Sequence, residues 1–155
     1  DNDYFGYVFG AAFGGFVIFA VVICLAILIF SVIVSWKLFE KAGKPGWSAL
    51  IPYYNKYVLL DLIGYNWYYV FIYAYEIVSF VPFVGSLVAA PLSLLAFVFS
   101  ITMNIKLAKA FGKDVGFGIG LIFVPVVFKA ILAFSKDTKY VGLTVKGDVD
   151  FNDLF

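Results

Sequence analysis

Arginine and histidine are missing from this chain: all 11 of its basic residues are lysine. Without guanidinium groups there are no bidentate forks for phosphates, which argues against nucleic-acid recognition. A single cysteine, Cys24, excludes an internal disulfide. One Cys with no His also leaves no ligand set for zinc or for a His-ligated haem, so neither metal nor other cofactor is expected. Cys24 reads as a small apolar residue of a membrane helix. Charge of either sign is scarce, at 14% of residues, whereas 64% are hydrophobic and 21% aromatic. With a mean hydropathy of +1.01, the composition is that of an integral membrane protein, because a soluble surface needs more polar residues.

Charge-free runs lay out an all-α integral membrane protein with four transmembrane helices and a short interfacial or re-entrant helix. Residues 4–36 carry no charge, and a span needs only ~20 apolar residues, so a first helix is placed at about 9–36. A second charge-free run, 77–105, is interrupted by Pro82, Gly85 and Pro91. Splitting it at P82-F-V-G-S86 gives spans near 64–82 and 86–106, since Pro and Gly mark a turn better than a span's centre. V115-G-F-G-I-G-L-I-F-V-P-V-V-F-K-A-I-L-A-F134 is read as a fourth span. A three-span alternative joins 77–105 into one helix and moves the C-terminus to the other side.

Seven of the 11 lysines fall in the two links after the first and third spans: Lys37, Lys41, Lys44, Lys56, Lys106, Lys109 and Lys113. The positive-inside rule makes that face cytoplasmic. Both the N-terminus and the polar tail 136–155 are then expected outside a bacterial cytoplasmic membrane. Because the chain opens with Asp1, a removed initiator or leader is expected; the first run lacks the basic flank of a signal peptide.

Between the first two spans lies W47-S-A-L-I-P-Y-Y-N-K-Y57. Gly43, Pro45 and Gly46 break the preceding helix, Pro52 suits the first turn of a new one, and Gly64 is placed as its C-terminal stop. A helix from Pro52 to about Ile63 is ~18 Å long, too short to span. The elbow 45–63 is therefore read as interfacial, with Trp47, Pro52, Tyr53, Tyr54 and Asn55 as its motif. Membrane anchoring is one role for these rings; a polar ligand or lipid headgroup held by Asn55 is the other. At this point W36-K-L-F-E-K-A-G-K-P-G-W-S-A-L-I-P-Y-Y-N55, L107-A-K-A-F-G-K113 and G116-F-G-I-G-L121 together resemble an uncharacterised family of small bacterial multi-span membrane proteins, over roughly residues 36–140. That resemblance implies a bacterial membrane protein of no established activity. Some relatives carry a signal-peptidase label, but a Ser/Lys peptidase needs a neutral lysine beside a serine and an outer catalytic domain, and no such arrangement is legible here.

Two ionisable residues fall inside expected spans, Glu76 and Lys129. A charge at the bilayer centre costs ~2.5–3.5 kcal/mol on insertion scales, and similar depth permits a Glu76–Lys129 pair. The competing reading has Lys129 snorkelling and Glu76 protonated or bonded locally. Gly6, Gly10 and Gly14 recur every fourth position, as do Gly116 and Gly120. Small residues so spaced let helices pack closely, within the chain or between chains. G116-F-G-I-G120 is not a nucleotide loop, because its last glycine comes one position early and no strand precedes it. D148-V-D-F-N-D153 begins like a calcium loop but has Asp153 where the turn glycine belongs. Y140-V-G-L-T-V145 could add an edge strand to a partner.

With no catalytic constellation, the expected function is a non-enzymatic packing or accessory subunit of a membrane assembly, in contact with the bilayer and with itself or other membrane proteins. The alternative is a small ion or solute transporter using Glu76 and Lys129.

Overall fold

Residues 2–41 wind into one helix because nothing in their apolar run interrupts it: α1 spans Asn2–Lys41. In the computed structural model, which describes residues 2–78, 81–142 and 152, α1 is followed by a 3-10 turn, Gly46–Leu50, and by α2, Tyr54–Ile63. A 3-10 stretch, Trp67–Ala74, leads into the single turn α3, Tyr75–Val78; then come α4, Val84–Ala110, α5, Val115–Phe123, and α6, Pro125–Phe134. The described residues are predominantly helical, with no strand among them. All of the calcium-like run 148–153 except residue 152, and most of the candidate strand 140–145, lie outside the described residues.

The chain divides after Ile33 into two units. The first, Asp1–Ile33, holds the part of α1 up to Ile33, which beyond Asp3 is apolar all round. Tyr4, Phe9, Phe16 and Leu28 are among its many exposed large side chains, the pattern of a helix surrounded by lipid or by other helices. Phe5, Phe9 and Phe13 stack along it at successive turns, with ring centroids 6.2 and 6.4 Å apart.

The second unit, Val34–Phe155, holds the core. Leu38 and Phe39 at the end of α1, Leu60 and Ile63 of α2, and Met103 and Leu107 of α4 meet Leu121 of α5 and Leu132 of α6 there. The C-terminal ends of α1 and α4 thus converge, so residues 42–83 make the return to the start of α4. They do so folded: Tyr53 donates to the carbonyl of Tyr73 at 2.6 Å, and Lys56 reaches Glu76, so the stretch 67–78 runs back along α2. Gly64 closes α2 at φ 82°, as expected from sequence. Its amide and that of Tyr65 cap the Asp61 and Leu60 carbonyls, a backbone shape that glycine adopts without steric cost.

Two of the four expected spans do not form as single helices. Within 64–82, Trp67–Ala74 is a 3-10 stretch and Tyr75–Val78 one turn of α-helix. Residues 115–134 break at Val124, which has φ −134° and ψ 65°, and α6 restarts with Pro125 in its first turn. Proline lacks the N–H that would continue the helix and disfavours helical geometry in the residue before it. α5 and α6 fold against each other instead: the Phe117 and Phe128 rings lie 4.9 Å apart edge to face, a separation that a continuous helix would make ~16 Å. Among the described residues two helices, Asp3–Lys41 and Leu87–Ala110, are long and apolar enough to cross a membrane.

Folding back carries the segment after α6 to the lysine-rich end, whereas the four-span reading of the sequence expects it on the opposite face. Lys41 donates to the carbonyls of Leu132 and Ser135, both at 2.6 Å, where orphan carbonyls and the helix dipole favour a cation. The amides of Val141 and Gly142 donate to Ala110 at 2.8 and 3.2 Å, and the Tyr140 hydroxyl donates to Leu62 at 2.7 Å.

Candidate functional site

The aromatic motif begins in the 3-10 turn and ends in α2. Gly46 lies so close against the Trp36 indole that a Cβ would stand 2.3 Å from its Nε1, which fixes where the turn leaves α1. From there Trp47, Tyr54 and Tyr57 form an exposed stack, with centroids 5.4 and 5.9 Å apart and rings nearly parallel. Pro52 and Tyr53 shape the entry into α2. Tyr53 sits at φ 65° and ψ −48° while the Tyr54 amide reaches back to the Pro52 carbonyl at 2.7 Å, a tight three-residue turn that side-chain-bearing residues rarely adopt. P82-F83 repeats the device before α4, with Phe83 at φ 63°. Asn55, the candidate ligand holder, donates at 3.4 Å to the Ala49 carbonyl, so its amide ties α2 to the turn before it.

Beside α2 stands a charged and aromatic cluster. Glu76 pairs with Lys56 at 3.9 Å, a partner that neither the Lys129 pair nor the locally bonded Glu76 expected from sequence names. Burial first, and repulsion from Lys56 second, lower the Lys129 pKa to about 8. Lys56 also lies over the Tyr73 ring at 4.4 Å, a cation–π contact that holds the ammonium next to the carboxylate. Tyr73 in turn is buried and donates to the Met103 sulfur at 2.8 Å. The arrangement links α2, the 67–78 stretch and α4.

At the lysine-rich end Lys44 bonds and pairs with Asp61, and that hydrogen bond raises the Lys44 pKa above its ordinary 10.5. Burial pushes the Tyr140 phenol up. Among the described residues the ion pairs are Lys37–Glu40, Lys44–Asp61 and Lys56–Glu76; there is no group of three or more metal-ligating side chains.

The glycines divide by role. At Gly6, Gly10 and Gly14 a Cβ would meet nothing within 4 Å, so this stripe is unfilled. Gly116 faces the Asp114 carboxylate at 3.7 Å, and Asp114 caps α5 by accepting from the Phe117 amide. Gly120 lies under the Phe128 ring, so it packs α5 on α6. The closest backbone approach belongs to Gly118, which the every-fourth spacing passes over: a Cβ there would stand 2.8 Å from the Ile105 Cα. Its signal was the full G-x-G-x-G alternation rather than the every-fourth pair.

No curated protein and no solved structure shows significant similarity to the chain. A family of unknown function, DUF5684, matches residues 47–143, from Trp47 of the exposed stack to just past the Val141 and Gly142 amides that return to α4. Covering more than half of the sequence, that match makes this chain a member of the family of unknown function DUF5684.

Proposed function

We propose that the chain is a non-enzymatic subunit of a bacterial cytoplasmic membrane, with α1 and α4 crossing the bilayer, and that it packs through α1 against a second membrane chain. The observation that carries this reading is the first unit of α1. It combines exposed apolar side chains all round with an unfilled groove at Gly6, Gly10 and Gly14 beside the Phe5–Phe9–Phe13 ridge. Lipid solvates such a helix, but a glycine groove gains contact only when another backbone enters it. The lysine-rich end is cytoplasmic in this reading. That places the N-terminus outside and residues 136–142 inside, with Trp47, Tyr54 and Tyr57 at headgroup depth. The transporter reading draws on Glu76 and Lys129 as intramembrane charges; the Lys56–Glu76 pair gives the carboxylate a structural use instead.

Native mass spectrometry in a mild detergent tests the proposal. The wild-type chain is expected to retain a second copy or another membrane protein. Gly10→Leu is expected to lose it while still inserting, because the new side chain holds the backbones apart. A partner retained by Gly10→Leu at wild-type stability removes the groove from the interface.

A further inference from the structure

The last turn of α1, the end of α6 and the segment that follows enclose an open cleft of about 490 Å³, lined by Lys37, Glu40, Lys41, Lys136, Thr138 and Lys139 among others. The lining includes four lysines and one carboxylate, and that carboxylate is occupied. Glu40 accepts from Trp36 Nε1 at 2.7 Å and pairs with Lys37 at 3.9 Å. Lys41 is anchored by the Leu132 and Ser135 carbonyls, which use two of its three donors. Thr138 supplies an independent sign that something is owed here: it is 1% exposed, and its hydroxyl has no hydrogen-bond partner among the described residues. Buried hydroxyls are rarely left unpaired in native structures.

We propose that this cleft binds a phosphate group, that of an anionic phospholipid headgroup at the cytoplasmic face. A phosphate oxygen accepts from Thr138 and from the free donors of Lys136 and Lys139, and its charge offsets the surplus of ammonium groups. Phe134, which also lines the cleft and is 51% exposed, offers an apolar surface on which an acyl chain can begin. Basic pockets beside membrane helices on the cytoplasmic side hold lipid headgroups in this way. The lipid source rests on the membrane reading of the proposed function; the phosphate site does not.

The full chain in a neutral detergent is titrated with short-chain phosphatidylglycerol, phosphatidylcholine and inorganic phosphate, binding being read by native mass spectrometry and by the shift in Tm. Phosphatidylglycerol is expected to bind more tightly than phosphatidylcholine, and Lys136→Gln with Lys139→Gln to weaken it about thirtyfold without moving the unliganded Tm. Should the double variant lower that Tm, Lys136→Gln alone replaces it. Thr138→Val is expected to weaken phosphatidylglycerol and leave phosphatidylcholine unchanged. Equal affinity for the two lipids with no phosphate binding overturns the site, as does wild-type affinity in the lysine variants. Inorganic phosphate binding that depends on the same lysines, with no gain for phosphatidylglycerol, overturns the lipid source and assigns the cleft to free phosphate. Flotation with phosphatidylcholine vesicles separates the two readings: a chain that fails to float refutes the membrane reading, while the phosphate titration still decides the cleft.

Discussion

Gly118 and Gly116 differ by two positions and play opposite parts. Gly118→Ala sets a methyl group against the Ile105 backbone, 2.8 Å away, which cannot give as a side-chain tip can. A loss of about 1–3 kcal/mol is expected, as for other overpacked contacts. Gly116→Ala meets its nearest neighbour at 3.7 Å, so its gain in helix propensity, up to about 1 kcal/mol, is expected to show. Thermal unfolding of the two variants in one detergent checks both signs. Lys44 makes a second residue-level test. Its pKa is raised by the hydrogen bond to Asp61, so the stabilisation is complete below the ordinary 10.5 and is lost as pH rises through the raised folded value. With side chains 31% and 44% exposed, the pair contributes about 0.5 kcal/mol. Lys44→Met is therefore expected to lower stability by that amount at pH 8 and to flatten the decline above pH 10.5 that the wild type shows.

Elements are where sequence and structure part. α1 and α4 were legible because long charge-free runs leave few other options, and the stop of α2 was legible because Gly64 suits a left-handed cap. The break at Val124 was not, although its cause, Pro125, stands in the open. A run of 20 residues just long enough to span outweighed a proline that membrane helices sometimes tolerate. The Lys56 partner of Glu76 is hidden for the same reason: two straight spans put Glu76 and Lys129 at similar depth, whereas the folded return of 67–78 along α2 brings Lys56 to the carboxylate. The α5–α6 hairpin yields its own prediction. A Cβ at Gly120 would stand 2.3 Å from the Phe128 ring, so Gly120→Ala is expected to cost about 1–3 kcal/mol. Phe128→Leu is expected to recover part of that loss, because the two sites share one contact. Additive losses in the double-mutant cycle would separate the sites.

The molecule has two compact units, Asp1–Ile33, which holds most of the apolar α1, and Val34–Phe155, whose described residues are mainly helical. The family match covers most of the second unit and none of the first. The α1 surface proposed to meet a partner thus lies outside the matched region, whereas the α5–α6 hairpin and Tyr140 lie inside it. Fold-back of α5 and α6 decides which end of the second unit receives residues 136–142, and with them the basic cleft. The most direct measurement is a spin-label distance between cysteines placed at Lys109 and Lys139, with Cys24 replaced by Ser, in the detergent-solubilised chain. The Val141 amide lies 2.8 Å from the Ala110 carbonyl, so the fold predicts a distance well short of the ~30 Å of a bilayer's hydrocarbon core. A distance of ~30 Å or more, the length of a straight helix over residues 115–134, would contradict it.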